Sequence, residues 1–166
     1  MMDAAILFYL ARKTSACQRN IEHIAGYFSL PVAETAVCVR EPGLRPQTAR
    51  LVRGHAAVFV VSACRGARPA CAPALFGLLR VPLDSRGEPK GVLRLEGGQT
   101  RGYLIESQNR AIAVLPDEPE ELERMLPRAM ERLKRKFGLA GELPAPETKD
   151  YEALVEASME RIPGKE

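Results

Sequence analysis

Two uninterrupted apolar runs of strand length, Ala4 to Ala11 (AAILFYLA) and Ala56 to Ala63 (AAVFVVSA), constrain this chain more than any other feature. A strand that is apolar at every position is buried on both faces, and a sheet built from such strands needs helices on each side. The intervening segments supply them. Thr14-Ser15, good helix-capping residues, precede Ile21, Ile24, Ala25 and Phe28 at helical spacing, and Pro31 ends the pattern. Val32 to Val39 reads as a second strand, EPGLRP as a turn and Gln47 to Arg53 as a short helix. The expected class is α/β, a three-layer sandwich on a mixed, mostly parallel sheet.

The second half adds an antiparallel element. After the irregular stretch CRGARPACAP and a short helix around Ala74 to Leu79 come strands at Val92 to Leu95 and Tyr103 to Ile105, separated by Gly97-Gly98. A turn at Ser107-Gln108-Asn109 makes Tyr103 to Ile105 and Ala111 to Leu115 a hairpin. Leu115-Pro116 stops the second of these and opens a helix from Asp117, with Leu122, Met125, Leu126, Met130, Leu133 and Phe137 on one face and Gly138 as its cap. Pro127 is expected to kink or restart that helix. The domain therefore spans 1–139. Residues 140–149 read as a linker by composition, and 150–166 as a C-terminal helix with Tyr151, Leu154, Val155, Met159 and Ile162 on one face.

Composition removes several function classes. No apolar run approaches the roughly 20 residues that cross a bilayer. The N-terminal apolar stretch has Asp3 before it and Arg12-Lys13 after it, the wrong polarity for a signal peptide. The four cysteines form no C-x-x-C pair, so a reducing cytoplasm is the expected setting and no zinc site is expected. The net charge of +3 is spread along the chain, and aromatic residues are only 5% with no Trp, which argues against a nucleic-acid platform. His23 and His55 have no spacing relation that would make them metal ligands.

Three segments carry a resemblance to a known family. QRNIEHIAGYFSLPVAETAVCV is similar to its first helix and second strand, HAAVFVVSACRG to its third strand entering a glycine-rich ligand loop, and GYLIESQNRAIAVLPDEPEELERML to its closing hairpin with a Leu-Pro-Gly-x-Pro turn. The chain thus resembles, from about Ala4 to Phe137, the molybdopterin-binding fold of molybdenum-cofactor biosynthesis proteins and of the N-terminal domain of competence/damage-inducible protein A. The departures fall on that family's chemistry. Ser62-Ala63-Cys64-Arg65-Gly66 carries one glycine where the family has several, no Asp or Glu lies between Arg65 and Leu83, Arg12-Lys13-Thr14-Ser15 replaces a glycine- and acid-containing loop, and Asp117 stands where glycine is usual.

The resemblance implies a ligand site at Ser62, Cys64, Arg65, Gly66 and Arg68 after strand three, and at Pro116, Asp117 and Glu118 after the last strand. Arginine there would hold a phosphate or carboxylate bidentately in place of glycine N–H groups. The expected function is non-catalytic binding of a small anionic ligand, a pterin such as molybdopterin or a nucleotide, with magnesium not expected. Two rivals remain open: an interaction or scaffolding protein that self-associates as a homo-oligomer through the Asp117 helix and the C-terminal helix, and an active nucleotidyltransferase using Asp84, Glu88 and Glu96.

Overall fold

The apolar runs become the centre of one sheet. In the computed structural model, which describes residues 2–144, β1 (Ala4–Tyr9), β3 (Ala57–Ser62) and β8 (Ala111–Pro116) are buried at every position. With β2 (Val32–Cys38), β6 (Leu93–Glu96) and β7 (Arg101–Glu106) they form six strands in the order β2-β1-β3-β8-β7-β6. The first four run parallel, β7 is antiparallel to β8, and β6 is antiparallel to β7. The sheet is mixed and mostly parallel, and the closing hairpin lies where it was expected.

Successive side chains of a strand point to opposite faces, and this divides the core in two. Ile6, Phe8, Phe59, Val61, Ala113 and Leu115 pack against α1 (Thr14–Gly26) and α4 (Pro119–Phe137). Leu7, Tyr9, Val58, Val60, Ile112 and Val114 pack against α2 (Glu41–Gly54) and α3 (Ala72–Leu78). The apolar stripe of α4, from Leu122 to Leu133, is buried against its own sheet.

Three local expectations are corrected. EPGLRP is not a turn but the start of α2: Pro42 sits in the first turn, where its missing N–H would have no intrahelical partner, and Pro46 removes one bond further in. Pro127 neither ends nor restarts α4, which continues from Pro119 to Phe137; the carbonyl that Pro127 leaves without a donor belongs to the exposed Glu123, within reach of water. CRGARPACAP is a small hairpin, β4 (Cys64–Arg65) with β5 (Arg68–Pro69), before α3.

Past Gly138, which closes α4 in the left-handed region at φ 63°, the end of the expected domain and the start of the expected linker, 140–149, are packed. Leu139 and Leu143 lie against the α1–α4 core. Gly141, at φ 100°, crosses so close to Tyr27 that a Cβ there would be 1.9 Å from its carbonyl oxygen. Residues 145–149 and the expected helix over 150–166 lie outside the described residues.

His55, between α2 and β3, ties down the amino end of the sheet. Its Nδ1 lies 2.9 Å from Asp3 Oδ1 and its Nε2 2.9 Å from Glu34 Oε2. Burial disfavours the imidazolium, but the bonds to Glu34 and Asp3 outweigh it, and the pKa rises above 6.5. A raised folded-state pKa stabilises the fold fully below the unfolded value and loses that contribution as pH climbs through the folded value. Glu34 has the opposite sign: its pKa is lowered, first by His55 and then by Arg50, so its contribution fades as pH falls below 4.5. The melting temperature should therefore be highest between these limits and decline above pH 6.5. His55→Gln should flatten the alkaline decline in a pH series of thermal melts.

Candidate functional site

The sheet order places a topological switch point between β1 and β3. The chain leaves β1 for α1 on one face, while β3 leads to α3 on the other, so the loops after these neighbouring strands diverge. Ligands of open α/β sheets bind in such crevices at the carboxyl ends of strands.

The β1–α1 loop is held in an unusual backbone conformation. Leu10 (φ 47°) and Lys13 (φ 53°) both occupy the left-handed region without being glycine. Lys13 is the N-cap of α1, and Thr14 and Ser15, the expected caps, lie inside the first turn and cap nothing. Lys13 makes no side-chain cap bond and the first turn of α1 holds no acid, so the N–H groups of that turn and the helix dipole favour an anion at this end. Arg12 and Lys13 are exposed beside it.

Asp117 joins this loop to the carboxyl ends of β3 and β8. It is 5% exposed. Its Oδ2 accepts the Arg12 N–H at 2.8 Å, its own N–H donates to the Ser62 carbonyl at 3.0 Å, and its carbonyl accepts the Cys17 thiol at 3.3 Å. Glu118 is exposed and paired with Lys13 at 2.9 Å. Pro116 is buried as the register partner of Ser62.

The loop after β3 distributes the remaining expected site residues over several roles. Ser62 is fully buried and internally satisfied: its Oγ donates to the Ala63 carbonyl at 3.0 Å and accepts the Cys71 N–H at 3.4 Å. Cys64 is half-buried; burial, then Asp117, Glu118 and Glu121, push its thiol up to about 11, so it is not a ready nucleophile. Gly66, at φ 70°, makes the β4–β5 turn. Arg65 is exposed on β4, within electrostatic reach of Tyr9 at the end of β1, whose hydroxyl burial and Glu41 push up and Arg65 draws down. Arg68 is engaged elsewhere: it donates to the Gly87 carbonyl at 3.1 Å, faces Glu88 at 3.5 Å and covers the Phe76 ring at 5.9 Å.

The structure thus brings Ser62, Cys64, Pro116 and Asp117 to one end of the sheet and directs Arg68 into a separate cluster. Arg12 and Lys13 complete that end, and the sequence reading did not assign them to the site. The signal available for them was their position after a strand apolar on both faces.

Glu121 accepts the N–H groups of Gly98, Gln99 and Thr100 at 2.5, 2.5 and 2.8 Å. Burial opposes its charge, but these bonds outweigh burial and lower its pKa. The Gly97-Gly98 turn is therefore fastened to α4 rather than free to close as a flap. A hollow of about 280 Å³ beside it is lined by Gln99, Thr100, Glu118, Glu120, Glu121 and Arg124, too acidic a wall for an anion. A larger one, about 480 Å³, lies at the amino end of the parallel strands, around Asp3, His55, Asn109 and Lys136.

The acids of the catalytic rival have other partners. Asp84 accepts the N–H groups of Arg86 and Glu88, Glu88 pairs with Arg101 and accepts the Tyr103 hydroxyl at 2.8 Å, and Glu96 pairs with Arg94 at 2.6 Å. No three His, Cys, Asp or Glu side chains converge as metal ligands among the described residues. At the switch point Asp117 is the one buried acid, and one of its oxygens is taken by Arg12. Among the described residues, no helix is long and apolar enough to cross a membrane.

Strand order, the two helical layers and the closing hairpin define a three-layer α/β domain on a mixed, mostly parallel sheet. Among solved structures, the chain is similar to the protein CinA, of unknown function, from Thermoplasma acidophilum, with a TM-score of 0.62 over 78% of this chain and 96% of that chain. Sequence identity is 12%, so the likeness is one of fold. No family model and no curated protein matches the chain.

Proposed function

We propose that this domain binds a small anionic ligand of the pterin or nucleotide kind at the switch point between β1 and β3, without the nucleotidyl-transfer or metal-insertion chemistry of the family it resembles. The observation that carries the reading is the first turn of α1, which holds no acid and gets no side-chain cap from Lys13, with Arg12 exposed beside it, Lys13 paired with Glu118, and Arg65 exposed on β4 after the neighbouring strand. Main-chain N–H groups with a neighbouring guanidinium suit a phosphate or carboxylate. Asp117 acts as the brace of the β1–α1 loop, leaving no pair of free carboxylates to hold a metal or abstract a proton.

A thermal-shift screen against nucleotides, pterins and phosphorylated metabolites, with and without magnesium, tests it. A ligand at a hundredfold excess over its Kd should stabilise the fold by about 2.7 kcal/mol. Arg65→Ala should weaken that ligand at least tenfold, the loss of one charge-assisted hydrogen bond of about 1.5–3 kcal/mol. No stabilisation across the panel would remove the ligand-binding role, and a shift that requires magnesium would favour the catalytic rival.

A further inference from the structure

We infer that β2 is a self-pairing edge, through which two copies of this chain join antiparallel about an axis at Val37 and extend the two sheets into one. Among the described residues β2 ends the sheet, so one side of its main chain has no strand partner there. Such edges are usually protected by Lys, Pro or short length, yet Val32 to Val39 contains no Lys and no Pro. The chain stays extended through Arg40 (φ −134°, ψ 138°).

The main-chain phase of the strand can be read directly. The Cys38 carbonyl accepts the Leu10 N–H at 3.2 Å, so Cys38, and by alternation Ala36 and Glu34, turn their main chains toward β1. Thr35, Val37 and Val39 then turn theirs outward. Their side chains lie on the α1 face, beside Ile6 and Phe8, but beyond the cover of α1: Val37 is 63% and Val39 68% exposed, next to Leu10 at 51%.

One register satisfies all of this at once. With Val37 opposite the partner subunit's Val37, Thr35 falls opposite the partner subunit's Val39, and each of these outward residues exchanges main-chain bonds with its opposite number. On the α1 face the ladder is wholly Val and Thr, β-branched pairs that favour a sheet. On the other face Ala36 meets the partner subunit's Cys38, and Glu34 meets the partner subunit's Arg40. Arg40 is exposed and has no ion pair among the described residues, and the register sets it beside Glu34, which holds Arg50 and His55 of its own subunit through one contact per oxygen and keeps lone pairs for a further donor. The axis repeats each contact, as a two-fold interface requires. The self-complementary charge pattern is what assigns the edge to a second copy and not to a foreign strand.

Sedimentation equilibrium of the full chain in reducing buffer, across micromolar concentrations, tests this. The native chain should show a monomer–dimer equilibrium. Val37→Lys sets two ammonium groups face to face, and Arg40→Glu sets like charges opposite Glu34; both positions are exposed, so each variant should keep its fold and dimerise at least tenfold more weakly. Register is read by oxidation: Val37→Cys should link to itself, and Thr35→Cys should link to Val39→Cys in a mixture but not to itself. A chain that stays monomeric, a dimer indifferent to both charged variants, or self-linking by Thr35→Cys would each overturn the proposal.

Discussion

Gly102→Val should destabilise the domain by about 3 kcal/mol, at the upper end of what overpacking a core costs. Gly102 is buried in β7, opposite Leu95 of β6, on the face that α4 covers. A Cβ at this position would lie 2.5 Å from the Val114 carbonyl oxygen and 3.0 Å from the Met125 sulfur. The thioether can move, but the carbonyl belongs to a central strand of the ladder and cannot. Glycine is required here by close approach and not by a left-handed φ, which explains why a residue of poor strand propensity sits inside a strand. Urea unfolding should show a lower midpoint at an unchanged slope. Adding Met125→Ala should recover only part of the loss, because the main-chain contact remains.

Legibility from sequence followed the physics of burial. β1 and β3 were readable because a strand covered on both faces has no polar position, and α4 because its stripe of Leu and Met keeps helical period up to a glycine cap. α2 was misread because Pro42, Gly43 and Pro46 are turn formers by composition, and only their placement in and near the first turn of a helix makes them tolerable. The candidate site was legible as loops but not as roles. Ser62 and Arg68 sit in the expected segment, yet one is closed on its own backbone and the other is drawn away by Glu88, a residue distant in sequence. For Lys13 the sequence offered only its position after a buried strand; its left-handed backbone, φ 53°, had no glycine to announce it.

The meeting of the β1–α1 and β8–α4 loops depends on Asp117, and Asp117→Ala should have the largest effect of any substitution at the proposed site. The side chain of this buried residue holds a main-chain N–H of a loop 105 positions away in sequence. Its removal leaves the Arg12 N–H without its partner, at a cost of about 2 kcal/mol for a bond to a charged acceptor. The change in melting temperature alone would not separate a structural from a positioning role. Two further readouts do. Hydrogen exchange at Arg12 should accelerate in Asp117→Ala at conditions where the amides of β3 stay protected, since the loop loosens while the sheet does not. Asp117→Asn, which keeps an acceptor oxygen at the same place, should restore both that protection and most of the affinity for whichever anion stabilises the native chain. If Asp117→Ala exchanged at Arg12 no faster than the native chain, the loop would be held by its own left-handed residues. The brace assigned to Asp117 would then have to be withdrawn, while the cations at the end of α1 would keep their place in the proposed site.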